Sequence, residues 1–515
     1  MHIVTSSKKP DASIDALILC AFQTEKSKKE KTGSKKREAS KEQKFKLAVQ
    51  GSVGSVPLDD IIRAAEREEF AARLGQSLTV HLFDAKSPSI CIVLGLGSSD
   101  NMSEDTVRRA GGFALSAANH RKAKKVGFLW PQLESITSDV AMLAFLEGWQ
   151  LSAYRFNAYQ TENPSKVGVE ELHLLGSPLK EATLASLVER SRILSESVSL
   201  ARDLVNECPA VAFPESLATR AKTEAKKAGL ACSVLDEKDL KKERCALILA
   251  VGAASLHTAP PRLVRLQYKP KGKSSRHVAL IGKGVTFDTG GLDLKPAAGM
   301  LDMKMDMAGS ATVLATLLAV AKLKPDVTVT GYMVLVENGI GSGAVHPSDI
   351  IKSRKGLTVE INNTDAEGRL ILADAIDYAC EKDKPDTIID IATLTGACVV
   401  ALGPNTAGLF SPDDDLASDV LKVSKSAGED MWRLPLTDDL NEQLKSSIAD
   451  MKNSGDRLGG AITAALFIKR FVPSDIRWAH LDIAGPAHSE KDHAYRPKGG
   501  SGFAVKTLVE LVMQS

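Results

Sequence analysis

The chain has 515 residues, 43% of them hydrophobic, which is more than one compact domain holds and ample for two. Its 66 Lys and Arg against 64 Asp and Glu leave a formal charge of +2, which excludes a global field pulling the chain onto nucleic acid or a membrane. No uninterrupted apolar run of about 18 residues argues for a membrane span, and seven scattered cysteines with no Cys-x-x-Cys pair suit a reduced, cytoplasmic compartment.

The opening stretch through ASIDALIL, residues 12–19, reads as a first strand, because Asp15 interrupts the apolar run and no cleavage pattern of a signal peptide follows. Residues 25–44, EKSKKEKTGSKKREASKEQK, are basic and lack apolar periodicity. A solvated loop over about 25–46 is the expectation there, with an accessory nucleic-acid patch as the alternative. Strand-like ICIVLGLG (90–97) and KKVGFLW (124–130) then alternate with the helical pattern DDIIRAAEREEFAARLG (59–75), the rhythm of an α/β domain. ESVSLARDLVNECP (196–209) predicts a connecting helix ended by Pro209. A second α/β rhythm runs from CALILAVG (245–252) through HVALIGKGVTF, VTVTGYMVLVEN and TIIDIATLTG to IRWAHLDIAG. The expected organisation is α/β throughout, with a smaller N-terminal domain over 1–190 and a larger one over 195–515. No internal repeat is present.

The second half holds the dense polar motifs. HVALIGKGVTFDTGGLDLKP, residues 277–296, invites a phosphate-loop reading through its Gly-Lys, but His277 stands where the first Gly belongs and Gly284 where Ser or Thr would hold magnesium. What it offers is a strand delivering Lys283, then Asp288, then a Gly-Gly bend and Lys295, the placement open α/β sheets use for ligands. Asp293 in a strand would share a face with Lys295 and could pair with it. In MLDMKMDMAGSATVLATLLAVAKL, Asp306 opens a helix, where it could simply be a cap, and Met300, Met303, Met305 and Met307 suit core packing. NNTDAEGRLILADA, residues 362–375, sets Asp365, Glu367 and Arg369 two apart at the mouth of a helix, where acids are also favoured by the helix dipole.

Together Asp288, Asp306, Asp365 and Glu367 are four carboxylates that would repel one another unless cations sat between them. Two divalent ions balance four negative charges, and such a pair can hold a bridging hydroxide while polarising a carbonyl. Lys295 and Arg369 would then be available to a substrate oxyanion or a small anion instead of to the carboxylates. A phosphatase could use the same count of carboxylates, and a DNA-binding role would rest on the basic segment alone. His480, His488 and His493 lack the spacing of a zinc helix and read as structural.

NTDAEGRL, 363–370, resembles the signature octapeptide of the leucyl aminopeptidase family, the cytosol aminopeptidases or M17 metallopeptidases. GKGVTFDTGG, LKP, MKMDMAGSA, TLTGACVVALG, WRLPL and HLDIAGPA extend the likeness, in order, over nearly all of the second half. The resemblance implies a two-domain subunit with a mixed central sheet in its catalytic domain. It also implies removal of N-terminal residues, leucine and other apolar ones, from peptide substrates, and assembly as a homohexamer. Two divalent metal ions are implied, zinc or manganese, with magnesium or cobalt as alternatives at the exchangeable position. Lys283, Asp288, Asp306 and Glu367 match ligands of the tighter metal; Asp288, Asp365 and Glu367 match those of the exchangeable one. Lys295 matches the lysine that polarises the scissile carbonyl, and Arg369 the arginine that holds a bicarbonate acting as general base. Met303, Thr393 and Gly396 fall where the family lines its first side-chain pocket. His346 and Ser348 stand where many relatives read Arg-Pro-Gly-Asp, and Cys208 where a proline is more usual.

Overall fold

A computed structural model describes residues 2–5, 10–24, 44–49, 53–54, 56–162, 168–272, 274 and 276–514. The basic stretch at 25–46 lies outside the described residues as far as position 43. The chain divides into two compact units, residues 1–195 with 492–497 and residues 196–491 with 498–515. Both are α/β, and the larger second unit is built on a mixed sheet, the fold class expected from the sequence.

The sheet of the first unit contains β1 (His2–Thr5), β2 (Ala16–Gln23), β3 (Phe45–Leu47), β4 (Ser77–His81), β5 (Ile90–Ser98), β6 (Lys125–Leu129) and β7 (Glu171–Leu175). The order is β1-β7-β6-β2-β5-β4, parallel except at the β4 edge, with β3 antiparallel to β2. Successive residues of a strand face opposite sides. Ile18 and Cys20 therefore pack with Phe145 and Trp149 of the helix Ser138–Ser152, while Leu17 and Leu19 pack with Ile61 and Ala65 of the helix Leu58–Arg67. Burial on both faces is why these strands read as unbroken apolar runs. The helix at 59–75 is shorter than its pattern predicted: it stops at Arg67, and Glu69 and Ala72, each at φ 50°, turn the backbone into the left-handed region.

The second unit carries β8 (Ala231–Leu235), β9 (Arg262–Tyr268), β10 (His277–Asp288), β11 (Thr328–Asn338), β12 (Ile350–Lys352), β13 (Thr358–Glu360), β14 (Thr387–Ala392), β15 (Ala407–Phe410), β16 (Met431–Arg433), β17 (Met451–Lys452) and β18 (Arg477–Asp482). The main sheet runs β16-β15-β18-β14-β10-β11-β9-β8. Its middle, β18-β14-β10-β11, is parallel, so the carboxyl ends of four strands open on one edge, where α/β sheets place ligands. A small sheet, β12-β13-β17, stands apart and carries the chain at 453 alongside the loop at 362. CALILAVG forms the short helix Ala246–Val251, whose first N–H groups, those of Leu247 and Ile248, donate to Asp374 Oδ2. Short apolar runs do not separate strand from buried helix by periodicity, and here the buried carboxylate cap decides.

The helix Ala308–Leu323 lies so close to the sheet that a Cβ at Gly309 would fall 2.1 Å from the Ile391 carbonyl oxygen and 2.8 Å from the Lys283 nitrogen. Only glycine permits that approach. The helical stretch 297–323 is long and apolar enough to cross a membrane by composition, but 89% of its apolar window is buried inside the unit, as befits a core helix. Of the four nearby methionines only Met307 is fully buried; Met300, Met303 and Met305 are half-exposed, so the core-packing expectation holds for one of the four.

Candidate metal centre

Three stretches of chain deliver the candidate residues to one place. β10 contributes Lys283 and, at its carboxyl end, Asp288; the turn before the core helix contributes Asp306; and the stretch after β13 contributes Asp365 and, two residues on, Glu367, the first residue of the helix Glu367–Asp383. Lys283 Nζ lies 2.8 Å from Asp306 Oδ2 and 2.8 Å from Glu367 Oε1, and donates to the Thr393 carbonyl at 2.9 Å. An ammonium has three hydrogens, and here each faces an oxygen. Lys295 Nζ lies 2.8 Å from Asp288 Oδ2 and donates to Asp365 Oδ1. Oxygens of Asp288, Asp365 and Glu367 all come within 4.8 Å of one another.

The octapeptide's glycine has a steric reason. A Cβ at Gly368 would stand 2.7 Å from Lys283 Cε and 2.9 Å from its Nζ, so any larger residue would occupy the space of the lysine. Asp306 is not a helix cap: no side chain caps the helix Ala308–Leu323, and Asp306 Oδ1 accepts from Thr393 Oγ1 at 2.7 Å.

Burial pushes the Asp306, Asp365 and Glu367 carboxyls above the usual range, and repulsion from Asp288 pushes the same way. Burial disfavours the Lys283 and Lys295 ammoniums too, but the surrounding carboxylates outweigh it and hold both above the ordinary lysine value. Arg369 is buried, and desolvation takes its guanidinium down to about 10 against the pull of Glu367. It donates from Nη1 to the Asn453 carbonyl at 3.0 Å, while its Nε has no hydrogen-bond partner among the described residues.

Four carboxylates against two ammoniums leave the cluster short of positive charge. Glu367 Oε2 is buried without a hydrogen-bond donor among the described residues. Carboxylate oxygens plus one amine are a donor set for divalent ions such as magnesium, manganese or zinc. The residues therefore fit a metal centre.

Lys295 serves Asp288 and Asp365 as a counter-charge, and one expectation about this lysine is corrected by the geometry. Asp293 does not pair with it: residues 289–296 form a loop, with Gly290 at φ 86° and Gly291 at φ 67°, so the shared-face argument for a strand does not apply. Asp293 Oδ2 instead accepts from the Thr364 nitrogen at 2.7 Å. Thr393 touches both Lys283 and Asp306, whereas Gly396 opens the helix Gly396–Leu402 with free space where a Cβ would be, and Met303 lies in a single turn packed on β10. His480 is buried beside Asp390 in the sheet, Nδ1 at 2.5 Å from Oδ1.

Sequence reading missed Asn453. Its amide accepts from the Asn362 nitrogen at 2.9 Å and donates to the Asn363 carbonyl at 2.7 Å, and its own carbonyl holds Arg369. One fully buried amide thus clamps the turn that carries Asp365 and Glu367. Its only sequence signal is an Asn-Ser-Gly turn after a short strand, which is weak by itself.

Residues 199–509 match the model of the cytosol aminopeptidase family's catalytic domain, and residues 56–163 that of its N-terminal domain. A probable cytosol aminopeptidase of Aquifex aeolicus is 42% identical over 454 residues, 88% of this chain and 90% of that one. One from Nostoc punctiforme is 42% identical over 448 residues, 87% and 89% respectively. Among solved structures, a mutant of tomato leucine aminopeptidase superposes with a TM-score of 0.85 at 31% identity, covering 100% of this chain and 97% of that one. The bottromycin maturation enzyme BotP in complex with Mn gives 0.83 at 33% identity, covering 97% and 99%.

Proposed function

The chain belongs to the cytosol aminopeptidase family and is a metal-dependent aminopeptidase, and from that premise we propose that it releases leucine and other apolar residues from peptide N-termini at a two-metal centre. The observation that carries this reading is the convergence of Asp288, Asp306, Asp365 and Glu367 from three stretches of chain, with Glu367 Oε2 buried and without a donor among the described residues. Lys283, Asp288, Asp306 and Glu367 would hold one ion, and Asp288, Asp365 and Glu367 the other. When bound, such ions supply Lewis acidity toward a carbonyl and toward the attacking water.

The chain's own groups do the rest. The Lys295 ammonium stands beside Asp288 and Asp365, where it could donate to the oxyanion that would develop on the scissile carbonyl. Arg369 stays charged at neutral pH and offers a free Nε–H in a buried setting, which suits it to hold a bicarbonate that would take the proton as general base. Gly396, with open space before it, and the half-buried Met303 suit the wall of an apolar pocket for the first side chain, with Thr393 joining that wall to the carboxylates. Assembly as a homohexamer belongs to the same reading, and light scattering tests it.

The direct test is exhaustive chelation followed by addition of manganese, zinc, magnesium or cobalt, with leucine arylamide and a phosphate ester assayed side by side. Hydrolysis of the arylamide should vanish and return with metal. Full activity of metal-free protein, or a preference for the phosphate ester, would sink the reading.

A further inference from the structure

Asn338 is the last residue of β11, paired in register with Asp288 across a break in the β10 ladder, and it is 3% exposed. Its backbone carbonyl accepts from the Thr289 nitrogen at 3.0 Å and from Thr289 Oγ1 at 2.7 Å, which fixes the strand end just past Asp288. Its side chain then makes two further bonds. Nδ2 donates to Asp288 Oδ1 at 2.9 Å and to the Thr364 carbonyl at 3.2 Å. The reverse orientation of the amide would set oxygen against both acceptors.

Asp288 Oδ1 also accepts from the Gly290 nitrogen at 2.8 Å. A carboxylate oxygen has two in-plane lone pairs, so two N–H donors fill Oδ1. Oδ2 is left as the oxygen of Asp288 that faces cations, and Lys295 Nζ stands 2.8 Å from it. The Gly290 N–H alone would leave the carboxylate a choice of rotations about its last torsion; the second donor removes that choice.

Building on the metal-centre reading, we propose that Asn338 is a positioning residue for that centre. It makes Asp288 present Oδ2 alone, and it ties the end of β10 to the loop at Thr364 so that Asp288 and Asp365 keep one spacing. Partners that orient metal ligands in this way commonly change affinity by about 10- to 100-fold when removed.

The test uses the full chain, stripped of metal, with Mn²⁺ as the probe in the wild type, Asn338→Leu, Asn338→Asp and Asp288→Ala. Mn²⁺ affinity is measured by calorimetric titration well below each variant's thermal midpoint, and the electron paramagnetic resonance lineshape of the bound ion is recorded. Asn338→Leu keeps the side chain's size and removes the donor, while Asn338→Asp keeps its shape and polarity and replaces the donor with an acceptor. Both should bind Mn²⁺ about 10- to 100-fold more weakly than the wild type, with an altered lineshape, whatever happens to the metal-free midpoint. A purely structural amide would lower the midpoint and leave the affinity and lineshape of the folded protein unchanged, and that result in whichever variant folds overturns the inference. Failure of the wild type to bind Mn²⁺, or unchanged binding by Asp288→Ala, would instead overturn the metal-centre reading and the inference together.

Discussion

Gly368 and Lys283 occupy adjoining space so tightly that the glycine's missing Cβ is what admits the lysine's amine. Gly368→Ala should displace Nζ from Asp306 and Glu367 while leaving the helix Glu367–Asp383, which alanine favours, intact. A displacement near 1 Å at a catalytic constellation costs on the order of 10²-fold in rate. Peptidase kinetics beside far-ultraviolet circular dichroism would check it, and wild-type kcat/KM in the alanine variant would refute the steric account.

The two lysines should separate under the same substitution. Lysine can become a metal ligand by losing its proton, and arginine cannot. Lys283→Arg should therefore bind one fewer ion per subunit and be inactive. Lys295→Arg keeps the charge an oxyanion needs, so it should retain both ions and lose about 10² to 10³ in kcat through misplaced geometry. Elemental analysis of the two purified variants decides. Two ions in Lys283→Arg, or a missing ion in Lys295→Arg, would mean the roles are exchanged.

Ser348 takes φ 77° on an exposed turn, with its nitrogen donating to the Ile361 carbonyl at 2.7 Å. A left-handed backbone costs an L-residue roughly 1–2 kcal/mol, and glycine's extra unfolded entropy returns roughly 0.5–1 of that. Ser348→Gly should raise the thermal midpoint by about 1 to 3 °C, and Ser348→Ala, which keeps the strain, should not. Differential scanning calorimetry resolves the difference, and equal midpoints in the wild type and the glycine variant would remove strain as a factor.

Asp383 receives a fork from Arg265, Nε to Oδ2 at 2.8 Å and a second donor to Oδ1, together with the Tyr332 hydroxyl. Burial alone would raise its pKa, but these donors outweigh it and hold the carboxyl below the usual range. A depressed folded value stabilises fully above the unfolded value of about 4, and that stability is lost as pH falls through the folded one. Asp383→Asn should cost about 2–3 kcal/mol at neutral pH, less than a fully buried pair because Arg265 keeps some solvent access. Urea midpoints of variant and wild type should converge as pH falls below the unfolded value of about 4 and through the lower folded one. A gap that does not change with pH would place the effect elsewhere.

The parallel middle of the second sheet and the carboxylates it carries were legible because β10 is buried along nearly its whole length and so reads as an apolar run with conspicuous exceptions at Lys283 and Asp288. The octapeptide was legible because its charges crowd into five positions. Asn338 and Asn453 were not, since a lone asparagine after a strand carries no local mark of its partners: the Asn453–Asn362 bond joins positions 91 apart. The left-handed turns at Glu69 and Ala72 likewise have no glycine to announce them, and the helix pattern ran on past its true end. Asp293 misled for a related reason, since the alternation rule was applied to a stretch that two glycines had already bent out of a strand.

The bonds that assemble the carboxylate cluster also fix how much of the chain it requires. Lys283 reaches Thr393 across 110 positions, Thr393 reaches Asp306 across 87, and Arg369 waits for Asn453 across 84. No contiguous fragment that stops short of residue 453 contains both the carboxylate cluster and its Asn453 clamp. A chain ended before that position would keep every carboxylate and both lysines and still lack the amide that holds the turn of Asp365 and Glu367 and the carbonyl that holds Arg369.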